Sequence, residues 1–133
     1  MNRLYILVGS NIDPNENVKK GLNYLNQSDS IVVEAVSSEF TSKPVGMEGS
    51  DFINIVLRCS TNLEFIETNT LLKGIEASCG RERDPKNKFT PRTLDLDIIC
   101  WNNFEGVIEG YKLPDPDIEK HDYIKVPLSE VKL

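Results

Sequence analysis

The sequence predicts an α+β fold in which one antiparallel sheet carries two helices. Three observations predict it: short runs rich in β-branched and aromatic residues, two segments with apolar residues at helical spacing between them, and the order β-α-β-β-α-β. That order is the ferredoxin-like, split βαβ plan. With 133 residues the chain can bury one core but not two independent ones, so a single domain over residues 1–133 is expected.

Residues 3–8, RLYILV, are strand formers, and the Gly-Ser-Asn turn of residues 9–11 ends them. Val18, Leu22 and Leu25 then recur at helical spacing in DPNENVKKGLNYLNQ. IVVEAVSSEFTSK (31–43) and FINIVLRCST (52–61) read as two strands pairing antiparallel across the Pro/Gly-rich KPVGMEGSD. A second helix is expected over 63–79, where Phe65, Ile66, Leu71, Leu72 and Ile75 lie roughly on one face and Gly80 stands at a C-terminal cap. The polar, Pro-containing GRERDPKNKFTPR reads as a loop, TLDLDIICW as a strand, and NNFEGVIEGYK as a weak hairpin. LPDPDIEKHDYIKVPLSEV reads as a proline-punctuated tail.

Composition narrows the function classes. An apolar share of 39% beside 27% charged residues fits a soluble globular protein, and no apolar run reaches membrane-spanning length. The N-terminal apolar run ends in a turn with no small-residue cleavage site, so a signal peptide is not expected. Cys59, Cys79 and Cys100 are odd in number and irregularly spaced, which argues against a disulfide framework or zinc site and for a cytoplasmic protein. A net charge of -6 opposes a broad nucleic-acid footprint. Phosphate, if bound, must be met by local arginines or by metal.

Two aspartates, Asp95 and Asp97, interrupt the apolar run PRTLDLDII. In a strand they share one face, about 7 Å apart at the backbone, while Leu94, Leu96 and Ile98 share the other. Such a pair fits a solvated sheet face, and it also fits a carboxylate pair holding Mg²⁺, a hard cation that takes oxygen ligands. Arg81, Arg83, Lys86, Lys88 and Arg92 precede the pair. A charged loop is commonly just solvated, but guanidinium forks match phosphate oxygens bidentately. A basic loop placed directly before an acidic pair has the composition of a polyphosphate-metal site, where catalysis is chiefly positioning and charge stabilisation.

LVGSN, TSKPVG followed by DFIN, IEASCGRER, PRTLDLDII, LPDPD and VPLSEV occur in an order and spacing that resemble the 6-hydroxymethyl-7,8-dihydropterin pyrophosphokinase family of folate biosynthesis. The resemblance covers most of the chain. It implies that the hydroxymethyl oxygen of the pterin attacks the β-phosphorus of ATP and AMP leaves, with two Mg²⁺ ions held by Asp95 and Asp97. It places Arg81 and Arg92 near the triphosphate as catalytic groups, and Glu76, Arg83, Ile98, Asp115 and His121 on the nucleotide side. For the pterin it implies stacking between Phe52 and Tyr123, a hydrogen bond from Asn54, and a pocket completed by Ser42 and Val45. From sequence alone Phe52 fits core as well as pocket, whereas Asn54 inside an apolar strand demands a hydrogen-bonding partner. Gly9, Ser10 and Asn11 are expected to shape a turn near the site.

The sequence also departs from the family pattern. Asp115 stands where a histidine is usual, His121 where an arginine is usual, Lys43 replaces a proline and Thr90 a glycine, and the chain ends earlier than most relatives. An acid at 115 would repel triphosphate unless a cation intervenes, so a noncatalytic or weakly active pterin- or nucleotide-binding relative stays open beside the enzyme. A monomer acting on ATP and 6-hydroxymethyl-7,8-dihydropterin, with neither nucleic-acid nor membrane partner, is expected.

Overall fold

The computed structural model describes residues 1–44, 50–80 and 94–133. In chain order it forms β1 (Asn2–Ser10), α1 (Pro14–Gln27), β2 (Ile31–Val36), β3 (Phe40–Ser42), β4 (Phe52–Thr61), α2 (Phe65–Ser78), β5 (Asp95–Trp101), β6 (Gly106–Ile108) and β7 (Tyr111–Leu113). A short 3₁₀ turn (Pro116–Glu119) and α3 (Asp122–Val131) follow. The main sheet runs β2-β4-β1-β5, with β3 also paired to β4, and every pairing is antiparallel. This is the ferredoxin-like arrangement expected, with β6 and β7 added as a separate hairpin.

Period-2 alternation gives the sheet two apolar faces. Leu4, Ile6 and Val8 of β1, with Leu96 and Ile98 of β5, point toward α1 and α2 and pack with Val18, Leu25, Phe65, Leu72 and Ile75. Tyr5 of β1, Val56 of β4 and Ile99 of β5 point the other way, onto Ile124, Leu128 and Val131 of α3 and Ile118 of the 3₁₀ turn. The register between β1 and β5 shifts at Tyr5/Ile6, so that Ile6 faces Ile98 while Tyr5 faces Cys100. The extra residue, Ile99, makes a bulge there, so that Ile99 and Cys100 both lie on the α3 side.

Two expectations change. Residues 31–43 do not form one strand: the pairing with β4 breaks after Val36, where the buried Ser37 donates its N–H to Val56 O and accepts from Val56 N through its hydroxyl. β3 then resumes against Phe52–Asn54. The proline-punctuated tail is a helix that covers the second face of the sheet. Ile124, Pro127, Leu128 and Val131 are its buried residues, an i, i+3, i+4, i+7 stripe whose burial outweighs the hydrogen bond Pro127 cannot donate. Its far end is tied down by Arg58, which donates to Val131 O at 2.8 Å, and by the Leu133 N–H, which donates to Tyr5 Oη at 3.1 Å.

Two helical glycines differ in what surrounds them. A Cβ on Gly21 of α1 would lie 2.7 Å from Cδ2 of Leu94, which is fully buried, whereas a Cβ on Gly74 of α2 would meet nothing within 4 Å. Close approach of α1 at Gly21 therefore seats Leu94 just ahead of Asp95. Gly74→Ala is expected to stabilise the protein by about 0.5–1 kcal/mol through helix propensity, and Gly21→Ala to destabilise it by about 1 kcal/mol despite the same gain. Urea unfolding of the two variants checks the opposite signs.

Candidate active site

The sheet's α3-facing side is covered by α3 over only part of its length, and the remainder is an open cleft of about 260 Å³. Its floor is set by strand register. Gly9 of β1 lies opposite Asn54 on one side and Asp95 on the other, and Leu7 lies opposite Asp97. Ser42 pairs with Phe52 on the adjoining strands. The 3₁₀ turn and the start of α3 supply the opposite wall with Asp115, Asp117, His121, Tyr123 and Ile124, and Lys43 completes the rim. A Cβ on Gly9 would stand 3.4 Å from Asn54 Oδ1 and 3.7 Å from Phe52 Cδ1, so glycine keeps the floor low between them.

Eight residues singled out from sequence thus share one cleft: Ser42, Phe52, Asn54, Asp95, Asp97, Asp115, His121 and Tyr123. Two others sit elsewhere. The Ile98 side chain is packed in the core on the helix-covered face, where period 2 must send it once Asp95 and Asp97 face the cleft; its side chain is therefore not a cleft wall. Glu76 is buried, at 1% exposure, behind β5. Val45, Arg81, Arg83 and Arg92 lie outside the described residues.

Local hydrogen bonds fix several of these groups. Asn54, 3% exposed, donates its side-chain nitrogen to Phe40 O at 3.0 Å and Ser42 Oγ at 2.8 Å. A backbone carbonyl only accepts, so the amide orientation is determined, and the amide oxygen is the half Asn54 has for a ligand. Ser10 Oγ donates to Ile12 O, and Asn11 Nδ2 donates to Ser50 O across the end of the cleft strands, in keeping with a turn-shaping role. Asp115 Oδ1 accepts from Asp117 N at 2.9 Å and so caps the 3₁₀ turn. This gives Asp115 a structural role of its own in the fold. Burial pushes the Asp115 carboxyl above its ordinary range. The His121 ring stacks on Tyr123 with centroids 4.9 Å apart and planes 22° from parallel.

The acidic pair is the electrostatic centre. Burial at the base of the cleft, then the neighbouring Asp95 carboxylate, push Asp97 up to about 7 against the opposing pull of Lys73. The Asp97 side chain still keeps 42% of its surface open, so a cation in the cleft has access to it and would relieve that rise. Two adjacent carboxylates are hard oxygen donors suited to Mg²⁺. Among the described residues no group of three or more His, Cys, Asp or Glu side chains is arranged to hold a metal. Two protein oxygens with the remaining positions left to phosphate and water is the usual form of a Mg²⁺-nucleotide site.

Sequence reasoning passed over Lys73. Its Nζ lies 3.1 Å from Glu76 Oε2, 3.1 Å from Leu96 O and 3.6 Å from Asp97 Oδ1. The i, i+3 spacing of Lys73 and Glu76 was the available signal. Asp117 was also missed, hidden in a segment read as irregular.

A ferredoxin-like sheet whose uncovered part carries a cleft lined by a carboxylate pair, by Phe52 and Tyr123 and by the fixed Asn54 amide defines the class: an α+β domain with an acidic, partly aromatic cleft on an antiparallel sheet. The chain belongs to the 7,8-dihydro-6-hydroxymethylpterin-pyrophosphokinase (HPPK) family, whose model matches residues 5–133. It is 33% identical over 132 residues to the 2-amino-4-hydroxy-6-hydroxymethyldihydropteridine pyrophosphokinase of Bacillus subtilis, covering 98% of this chain and 78% of that protein. The enzyme of the same name from Haemophilus influenzae is 32% identical, covering 96% of this chain and 79% of its own length. The bifunctional protein FolKE of Lactococcus lactis subsp. lactis is 32% identical over 133 residues, and there this chain spans only 38% of the relative.

A carboxyl with a higher pKa in the fold than in the unfolded chain binds its proton more tightly when folded. Stability linked to Asp97 is therefore greatest below its ordinary 3.8 and falls as pH rises toward about 7. In chelator-treated protein, Asp97→Asn is expected to raise the thermal midpoint by about 2–6 °C at pH 8 and to leave it nearly unchanged at pH 4. Calorimetry at the two pH values checks this.

Proposed function

We propose that the protein transfers pyrophosphate from ATP to the hydroxymethyl oxygen of 6-hydroxymethyl-7,8-dihydropterin and releases AMP. The observation that carries this reading is that the acidic pair, the two aromatics Phe52 and Tyr123 and the oriented Asn54 line one cleft. Phe52 and Tyr123 would sandwich the pterin ring, with His121 backing Tyr123. Asn54 Oδ1 would accept from an N–H on the ring edge. Asp95 and Asp97 would hold Mg²⁺, which when bound neutralises phosphate charge and aligns the β-phosphorus. Family resemblance supports Arg81, Arg83 and Arg92 as the phosphate partners, and Ser42 and Val45 as the remainder of the pterin pocket.

A second reading has its own observation. Asp115 and Asp117 line the same cleft, so the nucleotide side carries negative charge that a triphosphate must overcome, and a pterin-binding relative with weak ATP use follows from that. Pterin-dependent AMP release from ATP and Mg²⁺ separates the two readings. AMP formed only with pterin supports the enzyme, whereas saturable pterin binding without AMP supports the binding protein. Phe52→Ala is expected to weaken pterin binding by about 1–3 kcal/mol in a fluorescence titration, the scale of losing a stacked ring. Asp115→Asn keeps the cap on the 3₁₀ turn and removes the charge. It is expected to lower the KM for ATP by about three- to tenfold, an effect of roughly 1 kcal/mol, with the pterin KM unchanged in the same assay.

A further inference from the structure

Strand β5, which carries both acids of the cleft, pairs with β1 along one edge and with no strand on the other among the described residues. At Leu96, between the two aspartates, that outer edge is met instead by side chains of α2. Glu76 Oε2 accepts from Leu96 N at 2.7 Å, and Lys73 Nζ donates to Leu96 O at 3.1 Å. One amide and one carbonyl are thus satisfied by an acid and a base one helical turn apart, as a neighbouring strand would satisfy them. Lys73 also donates to Glu76 Oε2 at 3.1 Å, which compensates a carboxylate only 1% exposed, and its ammonium stands 3.6 Å from Asp97 Oδ1.

We propose that Lys73 is a positioning residue for the acidic pair: with Glu76 it holds the outer edge of β5 at Leu96, and it sets the direction in which the Asp97 carboxylate faces the cleft. The inference deepens the metal-nucleotide reading above and rests on it for its consequence, although the positioning itself is a property of the polypeptide. At 3.6 Å the contact to Asp97 is longer than a normal hydrogen bond, so the ammonium steers the carboxylate by charge, beside the Asp95 side chain that it also meets. Groups that orient metal-binding side chains are worth about ten- to a hundredfold in metal affinity.

The test compares wild type, Lys73→Met, Lys73→Arg and the double variant Lys73→Met/Glu76→Gln, the last neutralising both members of the charged pair that meets the β5 edge. Three readouts are taken: Mn²⁺–ATP affinity by calorimetry, pterin affinity by fluorescence, and the Leu96 amide exchange rate with the Asp97 carboxyl ¹³C shift by NMR. Expected for Lys73→Met and for the double variant are a loss of about tenfold or more in Mn²⁺–ATP affinity, unchanged pterin affinity, faster Leu96 exchange and a moved Asp97 signal. Lys73→Arg should recover most of the affinity. Unchanged Mn²⁺–ATP affinity in both Met-bearing proteins overturns the proposal, and so does equal loss in the Arg and Met variants or parallel loss of pterin affinity. A wild type that binds no Mn²⁺–ATP defeats the nucleotide reading. The NMR readouts still decide the positioning in that case: an unmoved Asp97 signal and unchanged Leu96 exchange in Lys73→Met overturn it, and changes in both uphold it.

Discussion

The antiparallel ladders that β1 makes with β4 and β5 decide which side chains can meet. Because Gly9 stands opposite both Asn54 and Asp95, and Leu7 opposite both Val56 and Asp97, groups far apart in sequence are set side by side on one surface. A slip of one residue in the β1–β5 ladder would turn Asp95 and Asp97 into the apolar layer under α1 and α2. That slip is prevented by the core itself, since Leu96 and Ile98 would then have to leave it. Burial on one face thus specifies chemistry on the other. Ile99, two residues after Asp97, continues that face into apolar contact with α3, and the bulge brings Cys100 to the same side.

Charge in the cleft is unbalanced by design of the backbone positions. Asp95, Asp97, Asp115 and Asp117 line it against Lys43 and His121 among the described residues, with Lys73 behind Asp97. Such a surface repels phosphate until cations enter it, so nucleotide and metal would arrive as interdependent ligands. The basic residues from Arg81 to Arg92 precede β5 in sequence and lie outside the described residues. Asp115 does two things at once: it caps the 3₁₀ turn and adds an acid to the cleft wall.

Much of this was legible in the sequence. The β-α-β-β-α-β order follows from hydrophobic period alone, and the shared face of Asp95 and Asp97 follows from the two-residue repeat of a strand. The polar residues inside apolar strands, Asn54 above all, marked the cleft because a buried amide needs partners. The C-terminal helix was not legible as such. Its stripe of Ile124, Pro127, Leu128 and Val131 has helical spacing, but Pro114, Pro116 and Pro127 signal interruption, and only the packing of that stripe on the sheet resolves the conflict. Glu76, singled out as a nucleotide contact, is buried behind β5 and accepts from the Leu96 amide. Side-chain bonding to a strand edge leaves no mark in a linear pattern, and for the same reason Lys73 went unnoticed.

The capped outer edge of β5 has a consequence for the behaviour of the protein at high concentration. An exposed strand edge invites another chain to add on and is a common starting point for aggregation. Here the central amide and carbonyl of that edge are already bonded to a charged pair on α2, so a second chain that docked there would first have to displace Glu76 and Lys73. The strand that carries the acids is thereby made a poor template for sheet extension.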